Sequence, residues 1–244
     1  MDEKTQLLGM KAGDEVRPGD NAGDYFQIYE IPDDVFAGMV GKSFTVGGEI
    51  RRSDLRYLRV LYVDYENRTR IGELVVNASA AEQFQAVMRE LYEAGYQIHK
   101  MVLVDRYYDG IAPDVRDKGN ASDSASIEDN NTSAFNYRVA SNNAEVLSNH
   151  ARGFAIDLNP YENPYVEADG TVLGPEEWYG DRSKATPENH MLVEGDTAVT
   201  AFKRHGFTWG GNWEGDLDYQ HFECAEKTPE IHTKKEEASS GREP

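Results

Sequence analysis

The chain contains little cysteine, little positive charge and no long apolar run. Its 244 residues include one cysteine, Cys224, which excludes an intrachain disulfide framework and a zinc site built from several thiolates. It has 25 lysines and arginines against 44 aspartates and glutamates, and this charge of −19 disfavours nucleic acid and anionic membrane surfaces as partners. No apolar run reaches the 18 residues of a membrane-spanning helix. We therefore expect no nucleic-acid partner and no insertion into a membrane.

The two ends of the chain are charged and show no hydrophobic periodicity. We expect a flexible or irregular arm over residues 1–40, one folded domain over 41–227 and a charged disordered tail over 228–244. The first ten residues, MDEKTQLLGM, lack the basic start and apolar stretch of an export signal. Two interpretations fit this start: a protein that stays in the cell, or a chain whose export segment is missing.

The hydrophobic pattern between the ends predicts an α+β fold. Two β-branched and aromatic runs, 58–63 and 71–76, flank a turn and predict a hairpin, and a strand follows over 98–105. Apolar residues spaced by three and four predict amphipathic helices over 79–94 and 196–205. Because strands and helices do not alternate as in a doubly wound fold, we expect a small antiparallel sheet flanked by helices.

The segment SNHARGFAID places a histidine and an aspartate around a short apolar strand. Asp157 would face away from Phe154 and Ile156, and a carboxylate in such a strand is costly unless it is paired or coordinated. His150 lies just before the strand, so the two side chains supply two of the three protein ligands of a catalytic zinc. A buried aspartate bonded to backbone and an ordinary loop histidine would explain the same pattern.

The segment TWGGNWEGDLDYQHFEC holds a second histidine and carboxylate. His221 lies in a short apolar strand, and Asp218 precedes it by three residues. This spacing suits a metal-ligating histidine with a neighbouring general base. A structural strand that ends on a hydrogen-bonded histidine is the alternative.

Together the two segments resemble a known family. The pattern Ser-x-His-x-x-Gly-x-Ala-x-Asp is followed, in order, by Trp-Gly-Gly-Asn-Trp and Asp-x-x-His-Phe-Glu. It is similar to the zinc murein peptidases, which include D-alanyl-D-alanine carboxypeptidases, vancomycin-resistance dipeptidases and phage L-alanyl-D-glutamate endolysins, with a fold related to lysostaphin and the hedgehog domain. Chance agreement at five fixed positions in ten is rare, roughly one start in a million.

The resemblance implies a zinc site with a general base. His150, Asp157 and His221 would ligate one Zn²⁺ per chain, carried by the small antiparallel sheet. Asp218 would take a proton from the attacking water and later protonate the leaving amine.

The resemblance also implies residues that contact the substrate. Arg138 matches an arginine that touches the substrate and the developing oxyanion, where a fixed cation stabilises negative charge. We assign Ser148 and Trp213 to substrate contacts as well, the latter because aromatic side chains crowd around the motifs.

These roles predict a zinc metallopeptidase that hydrolyses peptidoglycan stem peptides. The late segment favours the L-alanyl-D-glutamate endopeptidase type, and a D-alanyl-D-alanine carboxypeptidase with the same zinc site is the alternative. A zinc-containing module that binds cell wall or protein without catalysis is a third possibility.

We expect a monomer, exported to the envelope or beyond with its export segment missing from this chain; a cytoplasmic location is the alternative. The polar stretch 108–133 predicts a long loop that walls the substrate groove.

Overall fold

The computed structural model describes residues 9–225 apart from residues 18, 113, 141 and 142. Over these residues the chain forms five α-helices: α1 (Asp33–Met39), α2 (Ala81–Glu93), α3 (Lys118–Glu128), α4 (Asn149–Arg152) and α5 (Thr197–Arg204). The strands are β1 (Gln27–Tyr29), β2 (Leu55–Val63), β3 (Thr69–Asn77), β4 (Val139–Ala140), β5 (Asn143–Leu147), β6 (Ala155–Asp157), β7 (Tyr165–Val166), β8 (Val172–Leu173), β9 (Phe207–Trp209), β10 (Leu217–Asp218) and β11 (His221–Cys224). These strands pair in antiparallel sheets, so the predicted α+β class is confirmed. In the part of the chain that the structure describes, no helix is long and apolar enough to cross a bilayer.

The main layer is the sheet β1-β2-β3 with α2 packed against β2. The predicted hairpin is confirmed, since β2 and β3 pair continuously from Leu55 opposite Asn77 to Val63 opposite Thr69. The predicted amphipathic helix is also confirmed as α2, whose apolar face is buried on the sheet. That face consists of Ala81, Phe84, Val87, Met88 and Leu91.

A second sheet, β6-β11-β9, joins this layer through aromatic contacts. The ring of Phe84 on α2 meets Phe207 on β9 at 4.9 Å between centroids. On α5, the helix predicted over 196–205, Phe202 stacks on Phe222 of β11 at 4.0 Å. One continuous core therefore links the helical layer to the strands that carry the predicted metal ligands.

Residues 27–39 differ from the irregular arm that we expected over residues 1–40. They form β1, which pairs with β2, and α1. Ile31 and Met39 are only 2% and 1% exposed and share a small core with Phe44 and Tyr57 on the sheet. Short elements of two turns or fewer give too little periodicity to be recognised in the sequence. The expected tail over 228–244 lies outside the described residues, and the domain over 41–227 stays a prediction.

The prediction of a long loop over 108–133 is wrong, because α3 occupies the middle of this stretch. The buried positions of α3 are Ser122, Asp123 and Ser126, so the helix has no apolar stripe. Asn136 and Asn131 attach it instead: Asn136 Nδ2 donates to the carbonyl of residue 119 at 3.1 Å, and Asn131 Nδ2 donates to Ser126 Oγ at 3.0 Å. Hydrogen bonds replace apolar burial here, which hydrophobic periodicity cannot detect.

The strand predicted over 98–105 is also wrong. The chain there makes single bridges, Gln97 with Val63 and Lys100 with Asn131, and then turns into a 3-10 helix over Val104–Tyr107. The apolar residues Met101 and Val102 are buried as the pattern implies. The segment 98–105 nevertheless forms no continuous ladder of strand hydrogen bonds with another described segment.

Candidate metal centre

The pairing of β6 with β11 brings two of the predicted ligands together. Asp157, the last residue of β6, lies directly opposite His221, the first residue of β11. Directly opposed residues in an antiparallel pair have neighbouring side chains. Two residues that are 64 positions apart in sequence thus reach one point at the end of the sheet.

The one-turn helix α4 supplies the third ligand, His150. Its N-cap is Ser148, whose hydroxyl accepts a hydrogen bond from the His150 amide at 3.2 Å. The helix ends at Gly153, which has φ = 76°. A Cβ at Gly153 would lie 2.5 Å from the Asn77 amide nitrogen, so a larger residue would push α4 away from the end of β3.

The three side chains lie close enough together to hold one zinc ion, and Asp157 faces the two imidazoles through a different oxygen for each. His150 Nε2 lies 3.3 Å from Asp157 Oδ2, His221 Nδ1 lies 3.2 Å from Asp157 Oδ1, and the two nitrogens are 3.2 Å apart. Zinc bonds of about 2.0–2.1 Å would separate neighbouring ligands of a tetrahedron by about 3.3 Å. All three side chains are buried, and two imidazoles with one carboxylate are a donor set of catalytic zinc sites.

Both imidazoles are held with a lone pair directed at the centre. His150 Nδ1 donates to the Ala134 carbonyl at 2.7 Å, which leaves Nε2 unprotonated in the neutral ring. His221 Nε2 donates to Glu223 Oε2 at 3.2 Å, which leaves Nδ1 for the metal. Such outer hydrogen bonds fix the tautomer and the orientation of metal-binding histidines.

The pKa values of Asp157 and His221 show that the centre favours a bound positive charge. Burial alone would raise the pKa of Asp157, but the two histidines lower it far below its usual range. Burial opposes the charged form of His221, yet its bonds to Asp157 and Glu223 raise its pKa to about 10. Without a metal ion, a proton therefore takes the place of the cation between the nitrogen lone pairs and the carboxylate.

Asp218 reaches the same cleft from the neighbouring sheet β10-β7-β8. Its Oδ1 atom is buried and accepts no hydrogen bond from any described residue. Burial, only partly offset by His221, raises the pKa of Asp218 to about 6. Gly210 packs directly on this residue, because a Cβ there would lie 2.4 Å from the Asp218 carbonyl oxygen. The glycine of the Trp-Gly-Gly motif thus leaves room for Asp218.

The cleft around the centre has a volume of about 970 Å³. Arg138, Ser148 and Trp213 line it together with the three ligands and Asp218, so the structure gathers all seven predicted site residues at one place. The Trp213 ring lies 5.3 Å from the His221 ring and is 36% exposed. The substrate contacts assigned to Arg138, Ser148 and Trp213 stay predictions.

Several supporting groups were not foreseen from the sequence. Asn149 Nδ2 donates to Glu223 Oε2 at 2.5 Å, so a side chain next to the first histidine holds the carboxylate behind the second. Glu223 belongs to the His-Phe-Glu motif and shares a strand face with His221, a signal that could have revealed it. Ala134 acts through its backbone, and Asp123, which contacts Arg138, lies in a polar helix; neither gives a sequence signal.

Comparison with known proteins agrees with this site. The family model described as D-alanyl-D-alanine carboxypeptidase matches residues 141–224, a segment that begins after Arg138 and contains the three ligands and Asp218. No curated protein and no solved structure matches the chain significantly. The resemblance to the zinc murein peptidases is therefore confirmed, and it is residues 141–224 that carry the match to the D-alanyl-D-alanine carboxypeptidase family.

Proposed function

We propose that this chain is a zinc-dependent peptidase that hydrolyses stem peptides of peptidoglycan. The observation that carries the proposal is the meeting of three buried side chains, whose ligand atoms lie within 4.8 Å of one another, with the half-buried carboxylate of Asp218 in one cleft. A structural zinc site would use four protein ligands, whereas three ligands leave a position for reaction. The family match over residues 141–224 supports the same class of activity.

His150, Asp157 and His221 would hold one zinc ion, which supplies a Lewis acid for the scissile carbonyl and for water. Asp218 takes the proton of the attacking water and returns it to the leaving amine. Its raised pKa of about 6 places it close to the range of an efficient base near neutral pH. Arg138 lines the cleft, where its positive charge would stabilise the negative charge that develops on the carbonyl oxygen.

We infer that the bond cleaved is the L-alanyl-D-glutamate bond inside the stem. The cleft supports this inference, since its volume lies at the upper end of the roughly 300–1,000 Å³ range of ligand pockets. Residues of α3 and the segment from Leu173 to Pro175 also line the cleft, so its wall extends beyond the ligands and offers surface to a peptide longer than one residue.

A D-alanyl-D-alanine carboxypeptidase is the second candidate. It is favoured by the description of the matching family model. The zinc site serves both reactions equally, because both hydrolyse an amide bond beside a D-residue. In either case we propose a monomer that acts on the cell envelope.

The test is mass spectrometry of purified muropeptides incubated with the zinc-loaded chain, with Asp218→Asn and with Glu214→Gln. Glu214 is a matched control, because it is an exposed acid close in sequence that does not line the cleft. We expect Asp218→Asn to keep its metal and lose about 10²–10⁴-fold in rate, and Glu214→Gln to match the wild type.

The products identify the reaction. Release of the stem at L-alanine indicates the endopeptidase, and loss of one terminal D-alanine indicates the carboxypeptidase. No cleavage by a folded, zinc-loaded wild type would contradict the proposal and favour the non-catalytic binding module.

A further inference from the structure

Arg138 is held in the cleft wall by an aspartate of α3. Its Nη2 atom lies 2.8 Å from Asp123 Oδ2, and the two side chains are only 6% and 13% exposed. The helix packs closely on the arginine, since a Cβ at Gly119 would lie 2.8 Å from the Arg138 Cβ. The ion pair is therefore shielded from water and fixed in place, so the attraction between its two charges is stronger than in a surface pair.

The cleft around this pair is strongly acidic. Among the described residues that line it, Arg138 is the one lysine or arginine. The lining carboxylates are Asp123, Glu128, Asp157, Glu167, Asp216, Asp218 and Glu223. These carboxylates outnumber the positive charges of Arg138 and a divalent metal ion together, so a free carboxylate on a substrate would enter a negative field and compete with Asp123 for the guanidinium.

The L-alanyl-D-glutamate bond raises this problem, because the D-glutamate that follows it carries a carboxyl group outside the main chain. A D-glutamate keeps one carboxyl group free when the other continues the chain. An amide at this position carries no charge, and its carbonyl oxygen still accepts hydrogen bonds from the guanidinium.

We propose that Asp123 determines substrate specificity: by pairing with Arg138 it favours stem peptides whose carboxyl group beside the scissile bond is blocked as an amide. The proposal rests on the proposed peptidase function for its kinetic test. Asp123 is a positioning residue, since it acts through Arg138 and holds the guanidinium as a donor to neutral oxygens.

The test uses two synthetic stem peptides that span the L-alanyl-D-glutamate bond and differ only in the free or amidated carboxyl group of D-glutamate. The full-length zinc-loaded chain is compared with Asp123→Asn, Asp123→Glu and Asp129→Asn by kcat/KM. Asp129 is the matched control: it caps the same helix and pairs with Lys100 at 2.5 Å, but it does not line the cleft.

We expect the wild type to prefer the amide by about tenfold and Asp123→Asn to remove most of that preference, mainly through a lower KM for the free acid. Asp123→Glu and Asp129→Asn should keep the wild-type ratio. In an Arg138→Gln background, Asp123→Asn should leave the ratio unchanged, because the two residues act as a unit. An unchanged ratio in Asp123→Asn alone, or an equal loss on both peptides, would overturn the proposal.

A binding measurement separates this proposal from the proposed function. Calorimetry on Asp218→Asn, with and without Asp123→Asn, gives the Kd of each intact peptide independently of turnover. If the Kd ratio shifts by about tenfold while the wild type cleaves neither peptide, the peptidase function fails and the role of Asp123 stands. If the wild type cleaves the peptides but Asp123→Asn changes neither the kcat/KM ratio nor the Kd ratio, the proposed role of Asp123 is contradicted and the peptidase function is not.

Discussion

The helices α2 and α3 are held by opposite means. α2 buries five apolar side chains on the sheet, and its spacing of three and four residues is visible in the sequence. α3 buries two serines and an aspartate, and its contacts are hydrogen bonds and one ion pair. The first helix supports the core, whereas the second lines the cleft.

This difference shows how the molecule separates stability from specificity. An apolar face stabilises a helix through area removed from water and tolerates small shifts of position. A polar face is stable only when its partners are in place, so it holds a side chain such as Asp123 at a defined point. In the cleft wall, polar contacts rather than apolar burial hold the charged side chains at defined positions.

The largest expected effect is a cavity under α2. Phe84 is fully buried, and Phe84→Ala should lower the free energy of unfolding by about 3–5 kcal/mol in urea titrations followed by circular dichroism. The counterpart on α3 is Ile127→Ala, which trims a partly exposed side chain of the cleft wall and should cost about 1 kcal/mol or less. Equal losses in the two variants would break the contrast between the helices.

A smaller effect is expected where α3 joins the rest of the chain. Asn131 is 1% exposed; its Oδ1 accepts from the Val102 amide at 2.9 Å, and its Nδ2 donates to Ser126 Oγ at 3.0 Å. Asn131→Ala leaves these buried groups unpaired and should cost about 1–3 kcal/mol. Hydrogen exchange should show faster opening of α3 than of α2. Ser124→Ala, an exposed change on α3, should alter stability by less than about 0.5 kcal/mol.

The smallest effect concerns the polar support of the metal centre. Glu223→Gln keeps an acceptor for His221 Nε2 but removes the negative charge, and it should weaken zinc binding by about tenfold in competition with a chromogenic chelator. Asn149→Ala leaves that carboxylate in place without its tether and should change the zinc Kd only a few-fold. Wild-type affinity in Glu223→Gln would show that the carboxylate does not tune the metal.

The sequence predicts those parts that depend on local patterns. The hairpin and α2 follow from apolar spacing, and His150, Asp157 and His221 follow from short motifs in which each ligand borders a strand. The position of α3 and the pairing of Asp123 with Arg138 could not be predicted, because they depend on contacts between polar side chains far apart in sequence. Residues 27–39 were missed for a related reason: their elements are short and become ordered only against the sheet.

The single cysteine, Cys224, makes local opening near the metal centre measurable by chemical modification of its thiol. Cys224 ends β11, three residues after His221; it is 8% exposed, and its amide donates to the Phe154 carbonyl at 3.0 Å. No other thiol exists in the sequence to compete for a labelling reagent. The rate of thiol modification therefore reports how often the end of β11 opens, and an ion that ties Asp157 to His221 at the other end of this strand should slow it in proportion to its occupancy.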